Sequence, residues 1–240
     1  INPDFSQVES DVPMIMANQT FAMSFPEKRT FFLEGSELLK SNTNTVYTRS
    51  ITNPLGAVKY INQGENNTVY LLQATDTDSP YLAAGQYRSY KGNAGKSKVT
   101  IGRVKKNLGN KSHVGLIATN RDYQVGGSGS VVEFDSLINI LDDYTLDLNY
   151  ARSDTQEGNV NFIETDDTFA GRTYAMDGES FSGTAKNIRL RWAVDKANAG
   201  IRFSDVSPTY RAHVGFVGRN DIKYRNYWYG RTFRTKGTIR

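Results

Sequence analysis

No cysteine occurs among the 240 residues, which excludes disulfides, thiolate metal centres and a cysteine nucleophile. Long apolar runs are missing as well. The longest, from Val12 to Ala17, falls far short of the ~20 apolar residues a membrane-spanning helix requires. No basic start with an apolar run and cleavage site opens the chain, so it reads as a mature or truncated piece without an export leader. Histidine is scarce. His113 and His213 have no metal-ligand spacing and no serine or aspartate arrangement of a hydrolase, so both read as structural. A phosphate-cradling loop is not recognised either, for the segment around Gly92 to Gly95 lacks the strand and helix context such a loop requires. Three acidic pairs, Asp76 with Asp78, Asp142 with Asp143 and Asp166 with Asp167, lack a calcium-loop pattern and read as solvated turn acids. These exclusions predict no enzyme activity, no cofactor and no metal.

What is present is unusual in its balance. Hydrophobic residues make up only 38%, yet aromatics reach 12%, with 14 Tyr and 12 Phe. A β-barrel in lipid accommodates such a composition, since only alternate residues meet hydrocarbon while the others face a wet interior. The charge is uneven: 13 of the 29 lysines and arginines fall in residues 183–240, against 3 of the 25 acids. Those basic residues alternate along extended segments instead of gathering on one docking element, which argues against nucleic acid as a partner.

Period two is the dominant pattern. Tyr144, Leu146, Leu148 and Tyr150 alternate with Thr145, Asp147, Asn149 and Ala151; Ile188, Leu190, Trp192 and Val194 alternate with Asn187, Arg189, Arg191 and Ala193. Further strands are predicted near 45–52, 57–61, 68–74, 97–106, 113–120, 131–140, 199–204 and 222–234, about ten in all. The connections alternate: long at 75–96, 121–130, 153–183 and 205–221, short at 107–112, 141–143 and 195–198. Outer-membrane barrels show this alternation of loops and tight turns. The expected architecture is therefore an all-β antiparallel transmembrane barrel, with residues 1–44 as a barrel entry or plug segment and 45–240 as strands.

The N-terminal motifs carry a resemblance. Asn2-Pro3-Asp4-Phe5-Ser6-Gln7-Val8-Glu9, then Phe25-Pro26-Glu27-Lys28-Arg29-Thr30-Phe31-Phe32-Leu33-Glu34-Gly35 and Tyr47-Thr48-Arg49, resemble the opening of the DUF5916 family. Ile101-Gly102-Arg103-Val104 and Asp205-Val206-Ser207-Pro208 look like its later pieces, while Thr30 and Ser50 depart from its pattern. The resemblance implies an outer-membrane barrel of Bacteroidota or other Gram-negative bacteria, often preceded by a domain similar to family 9 carbohydrate-binding modules. It also implies that the barrel continues past Thr238-Ile239-Arg240. The partners it implies are outer-membrane lipid, lipopolysaccharide and other envelope proteins.

Two residue sets are candidates for function. Arg189, Arg191, Arg202, Arg225 and Arg231 would line a lumen and favour anions, or pair with acids such as Glu27 and Glu34. Glu27, Lys28, Arg29 and Glu34 surround Phe31 and Phe32 and would form ion pairs in a plug or wall, because a confined charge is stable only when partnered. The expected role is a pore, transport or envelope-assembly component. The alternative is a surface protein that binds or hydrolyses glycans with its long loops.

Overall fold

The computed structural model describes residues 20–233. The motif at residues 2–9, the apolar run at 12–17 and the terminal residues 238–240 lie outside them. Thirteen strands form: β1 (Pro54–Gln63), β2 (Asn67–Asp76), β3 (Pro80–Ala84), β4 (Ser89–Asn93), β5 (Ser97–Gly109), β6 (Ser112–Tyr123), β7 (Ser128–Ile140), β8 (Tyr144–Gln156), β9 (Thr168–Phe169), β10 (Arg172–Thr173), β11 (Ser180–Val194), β12 (Ala197–Val206) and β13 (Ile222–Arg231). Nine of them make one antiparallel sheet in the order β1-β2-β5-β6-β7-β8-β11-β12-β13, while β3 with β4 and β9 with β10 make separate hairpins. Each strand of the large sheet pairs with the next one to join it. β1 and β13 have no ladder between them, so the sheet is open at both edges among the described residues. The all-β antiparallel expectation holds; a closed barrel is not formed by these residues.

One end of the sheet carries tight turns and the other the longer connections. At the tight end Asn110 and Lys111 both have positive φ (45° and 56°), the two-residue turn whose twist matches that of the flanking strands. Three places depart from the sequence reading. The strand expected at 45–52 is instead a 3-10 turn at Thr48–Ser50, because its carbonyls are engaged by a side chain: Arg29 donates to the oxygens of Thr48 and Ile51. The loop expected at 121–130 shrinks to a turn, since β6 and β7 run on to Tyr123 and back from Ser128, with Gly126 and Gly127 at positive φ between them. The long segment at 75–96 contains the β3–β4 hairpin.

Period two places polar and apolar residues on opposite faces, but in the reverse of the usual soluble arrangement. Val132, Phe134, Tyr150 and Ile188 are 56%, 42%, 46% and 46% exposed, while the interleaved Glu133, Asp147, Asn149 and Asn187 are buried. The ladders confirm a shared face: Leu148 opposes Ile188, Leu146 opposes Leu190, and Tyr144 opposes Trp192. This face, also carrying Leu116, Val104, Leu71 and Tyr60, is open. The other face is covered.

Two segments cover it. Residues 20–53 place Phe32, Leu38, Leu39 and Ile51 against Ala57, Tyr70, Leu72, Val99 and Ile101. The connection between β12 and β13 lays Tyr210 over Val131, Ala151 and Ala185. The two segments also hold each other, through Tyr47 N–H to the Val214 carbonyl (2.9 Å) and Phe216 N–H to the Asn44 carbonyl (3.0 Å). Glycine permits the close approach. A Cβ on Gly183 would lie 2.3 Å from the Tyr210 nitrogen, and one on Gly129 would lie 1.9 Å from the His213 ring.

Candidate functional site

The covered face is polar at its centre, and several of its charges meet opposite charges or hydrogen-bond partners, as a low-dielectric site favours. Arg103 on β5 forms a two-pronged pair with Asp135 on β7, one limb 2.9 Å, and His113 Nε2 lies 3.4 Å from the same carboxylate. Glu133 accepts from Thr45 of the covering segment and from Asn149 Nδ2 at 3.1 Å. Asn42 reaches across to donate to both oxygens of Asp147 (3.2 and 3.1 Å) and to Asn149 Oδ1 (2.7 Å). Arg121, wholly buried, donates through Nη2 to Ser50. Residues 20–53 are thus tied to strands from β1 to β8 by side-chain hydrogen bonds, besides their apolar contacts.

The expected ion pairs of this segment take particular partners. Glu27 accepts from Arg29 at 2.8 Å, from Thr48 Oγ1 at 2.7 Å and from the backbone amides of Lys28 and Arg29. Burial raises its pKa, but Arg29 and Thr48 outweigh that, and the carboxyl is held below its usual range. Glu34 pairs with Lys59 on β1 at 2.8 Å, and this hydrogen bond and charge lower its pKa too. Lys59 also donates to the Phe31 carbonyl and stands 4.8 Å over the Phe31 ring.

The five arginines separate. Arg189 and Arg202 are directly opposed in register and, with Arg191, belong to the covered face. Arg189 pairs with Asp147 at 2.7 Å, not with Glu27 or Glu34, and Arg202 donates to Asn187 Oδ1 at 2.7 Å. Arg225 and Arg231 oppose Phe203 and Ala197, which share the open face with Ile201, so these two do not line the same surface. The reason is parity: on β13 the covered face takes Tyr224, Asn226 and Trp228, the last of which lies against Gly200.

At the long-loop end, the β3–β4 hairpin, residues 157–179 and residues 207–221 pack around Tyr81, Tyr123, Ile163, Phe169, Tyr174, Met176 and Phe181. Arg211 is buried here, its guanidinium 4.5 Å from the Phe169 ring centre, with Nη1 donating to the Pro208 and Tyr210 carbonyls. His213 sits between Tyr123 and Thr155 (3.0 and 3.1 Å), and burial together with the charges of Arg121 and Arg211 lowers its pKa to about 3. A cleft of about 530 Å³ opens outside this cluster, lined in part by Gln86, Tyr87, Arg88, Tyr90, Asp167 and Asp221. Its floor is a stacked pair, Tyr90 on Tyr174 at 4.0 Å, with the Tyr90 hydroxyl donating to Asp167.

Some of this escaped sequence reasoning. Asp76 is fully buried, accepting from the amides of Thr52 and Asn53, and is not the solvated acid expected. Glu157, Asp177 and Glu179 are brought together although 19 residues lie between the first two and no motif spacing marks them.

Residues 1–77 match the family model described as Domain of unknown function (DUF5916), which bears out the resemblance drawn from the N-terminal motifs. The later pieces, at 101–104 and 205–208, lie outside the matched residues. No curated protein and no solved structure matches the chain.

Proposed function

From the match of residues 1–77 to the DUF5916 family model, whose description assigns no activity, we propose that this chain forms wall strands of an outer-membrane β-barrel. The reversed alternation carries the reading. A water-facing sheet gains nothing by exposing Val132, Phe134, Tyr150 and Ile188 while burying Glu133, Asp147 and Asn187; a lipid-facing one does. No helix among the described residues is long and apolar enough to cross a membrane, which leaves crossing by strands open.

In this reading the covered face is the barrel interior, and residues 20–53 occupy it beneath β1 to β8. Arg189, Arg191 and Arg202 face the part beneath β11 and β12, where they would bias passage toward anionic solutes. No catalytic step is assigned. The test is electrophoretic mobility of the full-length protein from outer membranes, with and without boiling. A heat-dependent shift is expected of a closed barrel, and identical mobility would count against it.

A second reading, a glycan-binding surface protein, is favoured by the loop-end cleft, where the Tyr87 ring is 76% exposed beside Arg88, Asp167 and Asp221. Aromatic rings offer flat apolar faces to sugars, and charged groups bond their hydroxyls. Oligosaccharide binding lost in Tyr87→Ala, with mobility unchanged, would favour this role; binding equal to that of the unaltered protein would oppose it.

A further inference from the structure

We propose that Glu157, Asp177 and Glu179 form a binding site for an oxygen-preferring divalent cation of the calcium type. Glu157 directly follows β8 and Glu179 directly precedes β11; the Glu157 amide donates to the Glu179 carbonyl at 2.9 Å. Register fixes their direction. Residues 147, 149, 151, 153 and 155 alternate onto the covered face, and so does 157; on the partner strand 181, 183 and 185 do likewise, and so does 179. Two glutamates therefore project side by side from adjacent strands, where like charges repel. Asp177 adds a third carboxylate. One oxygen from each lies within 4.8 Å of the others. That spacing suits a common cation, because oxygen ligands stand about 2.3–2.6 Å from calcium and two of them can be twice that distance apart.

A separate observation concerns the individual atoms. Glu157 is 6% exposed, and its Oε2 has no hydrogen-bond partner in the protein; the buried Oε2 of Glu179 has none either. An acceptor taken from water without a partner is costly, and a charged one more so. Nearby cations give these two oxygens no hydrogen bond, although the charge of Arg211 acts on Glu157. Arg172 approaches the other oxygen of Glu179, Oε1, at 3.7 Å, and Arg211 directs Nη1 to the Pro208 and Tyr210 carbonyls. A cation held by the two free Oε2 atoms and Asp177 would close the base of the 157–179 loop, which contributes Phe169 and Tyr174 to the loop-end cleft. The site is independent of the membrane assignment, because it is built at the strand ends.

The probe is calcium alone, titrated calorimetrically into chelator-treated full-length protein, with magnesium titrated in parallel. Binding at submillimolar concentration is expected, calcium tighter than magnesium, with at least a tenfold loss in Glu157→Gln and in Asp177→Asn. An unchanged β-sheet circular-dichroism spectrum of both variants serves as the folding control, and unaltered protein whose thermal midpoint rises with calcium supplies a second readout. The rival is a proton shared between Glu157 and Glu179. Absence of calcium binding, with Glu157→Gln as stable as the parent, would establish that rival and overturn the proposal; so would calcium binding that both variants leave unchanged.

Discussion

Arginine substituted along the open face of β8 should destabilise the protein according to depth. The open face of β8 continues to Asp154 and Gln156 at the long-loop end; within it Leu148 stands midway along the stretch from Tyr144 to Arg152, opposite Ser136 of β7 and Ile188 of β11. At ~3.4 Å per residue this run is about 27 Å long. With a tilt of ~40° it spans about 21 Å along the membrane normal, close to the ~25 Å apolar band of outer-membrane barrels. Leu148 then lies roughly 10 Å from either edge, where an arginine costs about 2–4 kcal/mol, against about 0–1 kcal/mol near the interface at Tyr144. In equilibrium constants, Leu148→Arg should lower folding roughly 30- to 900-fold and Tyr144→Arg less than about sixfold. The assay is urea unfolding of the protein reconstituted in lipid vesicles, followed by the emission of Trp192 and Trp228. On a water-facing sheet neither change should exceed about 0.5 kcal/mol, since surface substitutions away from packed features are nearly neutral. Equal effects at the two positions would refute the depth argument.

Three further outcomes concern the covered face. Arg29→Met should cost about 3–5 kcal/mol in the same unfolding assay, because it leaves the buried Glu27 carboxylate without its cation; Lys59→Met, which leaves the exposed Glu34 carboxylate and the Phe31 and Glu34 carbonyls without their donor but strands no buried charge, should cost clearly less. Gly129→Ala should cost about 1–3 kcal/mol by driving a methyl into the His213 ring, and a variant that also carries His213→Ala should recover part of that loss. His213 sets a pH response. Its folded pKa is depressed to about 3 from 6.5, so its contribution is present above pH 6.5 and is lost as pH falls toward 3, the unfolded chain taking the proton first. Unfolding free energy measured between pH 7 and 4 should decline, and His213→Gln should flatten the decline.

Where two neighbouring strands both alternate strictly, the sequence suffices to orient them. Tyr144 to Tyr150 and Ile188 to Val194 occupy one face in register with each other, as the alternation requires. Where side chains bind backbone, it does not. Val46 to Ile51 has strand-forming residues, yet Arg29 claims carbonyls that a ladder would use, and Asn44 enters at φ 51°. The β3–β4 hairpin was hidden among Gly, Ser and Asn because its stability comes from Tyr81 and Tyr90 packing on rings far along the chain. Charge likewise gives no facing by itself: Arg202 and Arg225 sit on adjacent strands with opposite parity. The acids at 157, 177 and 179 become neighbours only once β8 and β11 pair.

Because the chain has no cysteine of its own, single cysteines placed in turn from position 144 to 152 and spin-labelled in reconstituted membranes report each site's surroundings without background. Collision with oxygen, which concentrates in lipid, should peak at 146, 148 and 150 and dip at 147, 149 and 151. A flat profile, or one in which a water-soluble nickel reagent reaches 146, 148 and 150 most readily, would contradict the assignment of this face to lipid.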